Sequence, residues 1–264
     1  MRQGSLLGGT LLIVLGIVFL VANVLGVDAW LIIGPTLLVA VGLLILWGTF
    51  ARPRPARVDE LHIPNEGADS ARLVVHHGAG VLRLGPGAAP GQLVTGTCIG
   101  GVDTRTRREG QTLVAELEVP TDSWLRFGPP WFWRRGFEWT LRLPPTMPVH
   151  LQIHTGAGEA DLDLTDVRVT ELKLSTGASS TKLRLPANAG LTHARIQAGA
   201  ASVRVYIPQG VAARIRSTSG LADVRIDRSR FPRTGDVYQS ADFDSAINRV
   251  ELTIQVGVGS VEIH

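Results

Sequence analysis

A glycine-centred repeat constrains the fold of this chain more than any other feature of the sequence. Six short runs of alternating apolar residues each follow a glycine, and the middle four glycines are spaced 21, 22 and 21 residues apart. The six repeat glycines are Gly78, Gly156, Gly177, Gly199, Gly220 and Gly257. Similar apolar runs precede them, such as Ala194 and Ile196 before Gly199. The pattern predicts a repeating unit of strand, glycine turn and strand.

Such a unit is too small to bury its own apolar face, so neighbouring units must stack on one another. We therefore expect an all-β domain in the form of a β-solenoid-like stack of short strands, with a β-sandwich as the alternative. Glycine suits the turn because it adopts positive φ easily and lets successive coils approach closely. The irregular spacing before Gly156 and after Gly220 predicts capping units at both ends of the stack.

Two uncharged apolar runs, residues 6–27 and 30–50, precede the repeat. A helix of twenty-two residues spans about 33 Å, which is enough to cross the hydrocarbon core of a bilayer. The first run is too long for a signal peptide, and a second run follows almost at once. The sequence thus predicts a two-helix transmembrane hairpin over residues 1–50, a basic proline-rich linker over 51–58 and a β domain over 59–264.

The net charge of +3 lies entirely at the ends of this predicted hairpin. Arg2, Arg52, Arg54 and Arg57 flank the apolar runs, whereas the turn between the runs carries only Asp28. The positive-inside rule then predicts a multi-pass protein of the bacterial inner membrane with its β domain in the cytoplasm. Residues 59–264 hold equal numbers of acidic and basic side chains, which argues against binding to nucleic acid.

The sequence offers no catalytic motif, cofactor motif or metal site, and we expect a protein that is not an enzyme. His150 and His154 are four residues apart, but strand neighbours at that spacing lie about 13 Å apart, so a metal would need ligands from another coil. The single cysteine, Cys98, excludes an intramolecular disulfide.

An aromatic segment between Trp124 and Trp139 interrupts the strand pattern. In one interpretation, the two terminal tryptophans lie on strands and the loop between them folds back over the end of the stack. In the other, the loop contacts the membrane or a partner protein, with cationic groups on anionic lipid. The contact residues would then be Trp131, Phe132, Trp133, Arg134, Arg135 and Phe137.

Several motifs resemble a known family. The first fifty residues are similar to the two-helix region of LiaI/LiaF-like proteins, through LLIVLGIVFLVANVLGV and the Gly34-Pro35 run. The remainder resembles the toast-rack type of adhesin-like or LiaF-like carboxy-terminal domain, through its Gly-Ala-Gly turns, LPP at 143–145 and IPQGVAARI at 207–215. The resemblance implies a bacterial membrane-anchored accessory protein, in some members a negative regulator of a cell-envelope stress kinase.

These observations together predict a non-enzymatic regulator or scaffold of the cell envelope. Its expected partners are membrane lipid and an integral membrane protein such as a sensor kinase. Two alternatives remain open: an accessory subunit of a larger membrane complex, and a homo-oligomeric β-scaffold in which open stack ends pair between copies.

Overall fold

The computed structural model describes residues 57–120 and 137–264, which contain β-strands and no helix. The strands of these residues are β1 Val58–Pro64, β2 Ser70–Pro86, β3 Gln92–Ile99, β4 Asp103–Glu109, β5 Thr112–Glu118, β6 Phe137–Leu143, β7 Val149–Asp163, β8 Val169–Arg184, β9 Leu191–Tyr206, β10 Ala212–Ile226, β11 Arg233–Thr234, β12 Val237–Gln239 and β13 Arg249–Ile263. The prediction of an all-β domain is confirmed. These strands form one mixed sheet.

Each repeat glycine lies near the middle of one long strand. Strands β2, β7, β8, β9, β10 and β13 are 15 to 17 residues long, and each contains one of the six glycines. They pair in parallel in the order β2, β7, β8, β9, β13, β10. The predicted pair of short strands with a turn is therefore a single strand that continues through the glycine.

The burial pattern shows that each long strand folds over at its glycine. In β9 the buried side chains before Gly199 include Ala194 and Ile196, at even positions, whereas those after it include Val203 and Val205, at odd positions. Side chains alternate between the faces of a strand, so this change of phase turns both halves towards one core. Each strand is thus one coil, and the core lies between its two halves.

Short connections between the coils agree with this folding. Parallel neighbours ordinarily need a crossover of about a dozen residues or more. Here β8 and β9 are joined by residues 185–190 and β7 and β8 by residues 164–168. The end of one coil therefore lies close to the start of the next. The stack combines the parallel register of the predicted solenoid with the two packed layers of the alternative sandwich.

The C-terminal strand occupies an unexpected position. Strand β13 lies between β9 and β10, so the predicted capping unit at the C-terminal end is wrong for Gly257, which is internal to the stack. At the β2 end, β5 pairs with the first half of β2 and β6 with its second half. At the β10 end, β12 pairs with the first half of β10 only, through Arg214 and Ile215.

Within residues 57–120 and 137–264 there is no helix with the length and apolarity that crossing a bilayer requires. The hairpin predicted for residues 1–50 lies outside the described residues.

Candidate binding groove along the glycine ladder

The six repeat glycines stack on one another and form a ladder across the coils. A Cβ atom on Gly156 would lie 2.5 Å from the carbonyl oxygen of Gly78, and one on Gly177 would lie 2.5 Å from that of Gly156. The corresponding distance is 3.1 Å at Gly199 and 2.8 Å at Gly257. The adjacent backbone therefore leaves no room for a side chain on most rungs. Close approach of the coils, which the sequence predicted, is the reason for glycine here.

Positive φ, the other predicted reason, does not apply to the ladder. None of the six repeat glycines has a positive φ. That conformation occurs two residues later in three coils, at Gly80, Gly158 and Gly259, with φ of 133°, 132° and 131°. In Gly156-Ala157-Gly158 and Gly257-Val258-Gly259 the first glycine allows the coils to approach, and the second in addition adopts a backbone conformation that L side chains rarely take.

An open groove with a volume of 1110 Å³ follows the ladder. Since glycine carries no side chain, backbone forms its floor. One wall is a row of polar side chains two residues before each glycine, which the strand register places side by side: His76, His154, Ser175, Gln197, Gln255 and Thr218. With neighbouring strands about 4.8 Å apart, the row is roughly 24 Å long. We call this feature the ladder groove.

The wall of the ladder groove consists of hydroxyl, amide and imidazole groups. His76 and His154 stack with ring centroids 4.8 Å apart, and the Gln197 side-chain amide donates to Gln255 Oε1 at 3.2 Å. Burial, together with the nearby charge of His76, lowers the pKa of His154. The row contains no Asp, Glu, Lys or Arg. Such a surface can form hydrogen bonds with an extended ligand that crosses several coils.

A buried histidine lies beneath one end of the groove. His77 is 2% exposed, and its ring contacts Trp139 edge to face at a centroid distance of 5.1 Å. Burial lowers the pKa of His77 to about 4, against a smaller opposing effect of a backbone hydrogen bond with Phe137. The imidazole is therefore neutral at pH 7 and belongs to the packed core.

The hydrogen bonds near the groove bear on whether it contains an activated nucleophile or a metal site. Among residues 57–120 and 137–264, no groove hydroxyl forms a hydrogen bond with a histidine, as an activated nucleophile would. No three His, Cys, Asp or Glu side chains of the described residues converge on a metal position. His150 Nδ1 instead lies 3.2 Å from Glu171 Oε2 on the neighbouring coil.

Several residues predicted as sites lie outside the described residues. These are Arg2, Arg52 and Arg54 of the topology signal and Trp131, Phe132, Trp133, Arg134 and Arg135 of the aromatic segment. Of the topology signal, Arg57 is described, and its Nε donates to Asp59 Oδ1 at 2.8 Å.

The assignment of Phe137 to a membrane or partner contact is wrong. Phe137 begins β6, is 4% exposed and packs edge to face against His77. Trp139, two residues further along the same strand, is fully buried. The C-terminal end of the aromatic segment therefore belongs to the core, as the first interpretation of that segment expected.

Sequence reasoning missed the ladder groove, although the sequence contains its signal. Apolar side chains alternate along the first half of each coil, and the outward-facing position two residues before the glycine is polar in all six coils. His154 before Gly156 and Gln197 before Gly199 are examples. A polar residue recurring at one position of a repeat indicates a shared exposed row.

Cys98 is buried and cannot report the orientation of the domain. Its side chain is 0% exposed, and burial, with a smaller effect of the Asp59 charge, raises the pKa of the thiol to about 12. The thiolate that reacts with labelling reagents is therefore almost absent at neutral pH.

Two comparisons relate the chain to known proteins. The family described as the N-terminal domain of toast_rack, DUF2154, matches residues 52–206. The crystal structure of a candidate cell adhesion protein from Clostridium sporogenes ATCC 15579 superposes with a TM-score of 0.71 at 21% sequence identity, covering 79% of this chain and 98% of that one. At this identity the likeness shows a shared fold. None of the curated proteins matches the chain.

Proposed function

Because the chain belongs to the toast-rack N-terminal domain family, we propose that it is a non-enzymatic, membrane-anchored regulator or scaffold of the bacterial cell envelope. Its N-terminal apolar runs, similar to those of LiaI/LiaF-like proteins, would anchor it in the inner membrane. The β domain would present the ladder groove to a protein partner on the cytoplasmic side. An envelope-stress sensor kinase is the leading partner.

The continuity of the ladder groove is the observation that supports this proposal. The polar wall crosses all six coils, and the floor is exposed backbone. A partner segment lying across the coils could exchange hydrogen bonds with each rung in turn. Hydroxyl and amide groups suit the uncharged backbone of such a segment. Small substrates are instead held in enclosed pockets with a few convergent polar groups.

Site-specific photo-crosslinking in native membranes tests the proposal. A photoreactive residue replaces Gln197 in the groove or, as a control, Gln209, which is exposed in the turn that follows β9. We expect a sensor kinase to be captured from position 197 and not from position 209. A stoichiometric set of integral membrane proteins would favour an accessory subunit instead. Capture of the same proteins from both positions would exclude the groove as the contact surface.

A signalling assay provides an independent readout. Deletion of the protein is expected to alter the phosphorylation of the kinase's response regulator. When the double variant Gln197→Ala/Gln255→Ala is expressed in the deletion cells, we expect phosphorylation to stay altered to the same degree. Gln209→Ala is expected to restore it. Full restoration by the double variant would contradict a regulatory role for the groove.

The orientation of the domain needs an introduced thiol. Gln209→Cys supplies one on an exposed turn, whereas Cys98 stays buried. Under the proposal, an impermeant maleimide labels position 209 only after cells are opened. Labelling of intact cells would overturn the cytoplasmic placement and favour a surface role, which is also suggested by the cell adhesion description of the Clostridium structure.

A further inference from the structure

The second half of β10 forms an open edge of the sheet. Residues 212–226 pair with β13 along their whole length. On the opposite side β12 pairs only with Arg214 and Ile215, and within residues 57–120 and 137–264 no strand pairs there with residues 217–226. The other end of the stack is paired over both halves of its coil. The two ends of the stack are therefore capped differently.

The open edge also exposes side chains of the core. Two rows of inward-facing residues run through the second halves of the coils: Leu82, Ala160, Thr181, Val203, Val261 and Val224 in one, and Leu84, Leu162, Leu183, Val205, Ile263 and Ile226 in the other. Every member is at most 3% exposed except the last of each row. Val224 and Ile226 are partly exposed although they pack against the core. The core is therefore partly exposed to solvent beside the second half of β10.

The edge presents unpaired backbone groups. The N–H of Asp227 donates to the carbonyl oxygen of Ile263 on β13 at 3.0 Å. Alternate residues of a strand direct their backbone groups to opposite sides. The N–H and C=O groups of Ala222, Val224 and Ile226 therefore point to the open side. These three residues also carry the partly exposed core side chains, so one added strand would pair the backbone groups and cover the side chains.

The charges on the edge are complementary to a second copy of the same edge. Asp223 and Arg225 are exposed on the outer face and form an ion pair at 2.8 Å. Two copies that pair antiparallel about Val224 place Asp223 of each opposite Arg225 of the other. Centring the pairing on Asp223 or on Arg225 would place like charges opposite each other, which is unfavourable. The charges thus favour this register over the two neighbouring ones.

We propose that two copies of this chain associate edge to edge through residues 222–226, antiparallel, with a two-fold axis at Val224. In this register Ala222 of one copy faces Ile226 of the other, and the two Val224 residues face each other. The paired residues exchange backbone hydrogen bonds, and their side chains continue the two core rows into the second copy. The dimer is isologous because one strand supplies both sides of the contact. The contact does not involve the six polar residues that form the wall of the ladder groove.

Cysteine crosslinking of the full-length chain in detergent micelles tests this pairing. In Val224→Cys the two introduced residues face each other with Cα atoms about 5.5 Å apart, within disulfide range. Leu221→Cys is the control, because Leu221 is 83% exposed but faces position 227 of the other copy. The two control cysteines would lie about 20 Å apart along the strands.

Mild oxidation should therefore give a covalent dimer of Val224→Cys and leave Leu221→Cys monomeric. The native Cys98 contributes no background because it is buried. Equal crosslinking of both variants would indicate random collision, and no crosslinking of either would indicate that the edge is unpaired or covered by another segment. Either result overturns the proposal.

Charge exchange is a second measurement that does not introduce a residue into the core. Arg225→Asp places two acidic residues opposite each other in both halves of the dimer, and we expect the dimer dissociation constant to rise about tenfold. Asp223→Arg/Arg225→Asp restores opposite charges and should return the constant to within about twofold of the wild-type value. Sedimentation velocity measures association, and thermal melting checks that each variant is folded. Any other order of the three affinities contradicts the register.

Discussion

The ladder glycines provide a test in which the same substitution has opposite expected effects at different rungs. In Gly177→Ala the new Cβ would lie 2.5 Å from the carbonyl oxygen of Gly156, whereas in Gly78→Ala it would meet nothing within 4 Å. Neither glycine has a positive φ, so backbone strain does not contribute to the difference. The contact at Gly177 involves backbone of the adjacent coil, which cannot rotate away as a side chain can.

Two opposing contributions determine the size of the effect. Replacing glycine by alanine in a permitted conformation stabilises a protein by about 0.4–1 kcal/mol, because the unfolded chain loses freedom. Overpacking costs about 1–3 kcal/mol. Gly177→Ala should therefore lower the free energy of unfolding by up to about 2.6 kcal/mol, and Gly78→Ala should raise it by up to about 1 kcal/mol.

Thermal melting of the full-length chain measures these changes. For a domain of this size, 1 kcal/mol corresponds to about 2–4 °C, so Gly177→Ala should lower the melting temperature by up to about 10 °C and Gly78→Ala should raise it by up to about 4 °C. Gly156→Ala has the same 2.5 Å contact and should repeat the loss. A loss at Gly78 equal to that at Gly177 would show that glycine is needed for a reason other than contact between coils.

Two further predictions concern His77 and the aromatic segment. The folded-state pKa of His77, about 4, lies below the ordinary value of 6.5, so the unfolded chain binds the proton more readily. The contribution of His77 to the free energy of unfolding should be fully present above pH 6.5 and fall by up to about 3 kcal/mol as the pH approaches 4. Urea unfolding should show a smaller fall with pH for His77→Phe. The control His62→Gln, which replaces an exposed histidine, should show the same fall as the wild type. For the aromatic segment, replacing Trp131, Phe132 and Trp133 with Ser should weaken flotation with anionic liposomes and leave the melting temperature nearly unchanged, whereas Phe137→Ser should cost about 3–5 kcal/mol because that ring is buried. An equal loss of stability in the triple variant would place the aromatic segment in the core.

The repeat itself was predictable because its signal is local. The apolar alternation around Gly177 and Gly199 predicts strands on both sides of each glycine, and the need to bury them predicts stacking. The bend was predicted as a turn between two strands, since the sequence does not show that one strand continues through the glycine. The sequence also does not show that Gly80 and Gly158 have positive φ whereas the ladder glycines do not. Close approach of the backbone and positive φ both favour glycine, so the residue type does not distinguish them.

The ladder groove was harder to predict than the strands that form it. It depends on a polar residue in each coil, such as His76 or Gln255, lying in register with the others. Register follows from the sequence only when the order of the coils is known. The burial of Phe137 was hidden for a related reason: its partner His77 is distant in sequence, and Gly80, whose backbone it pairs with, belongs to another strand.

The order of the coils could not be derived because the repeats are interchangeable at their contacts. Each coil has similar inward-facing side chains and one ladder glycine, so β13 and β10 could each pack equally well beside β9. Connection length does not determine the order either. Residues 207–211 connect β9 to β10 past one intervening strand, β13, and five residues are long enough for this distance of about 10 Å.

The position of β13 also accounts for the open edge. The chain builds β10 as the outermost coil, and residues 227–248 then cap its first half with β12 and with the buried ring of Phe243, over which Arg214 lies. From there the chain returns into the stack as β13, and its last strand residue, Ile263, pairs with Ile226 inside the sheet. A C-terminal strand added outside β10 would have sealed Val224 and Ile226 within one molecule. Because β13 is inserted one rung earlier, the same two residues are left at the edge of the described strands, where the proposed second copy supplies a strand that residues 57–120 and 137–264 do not place there.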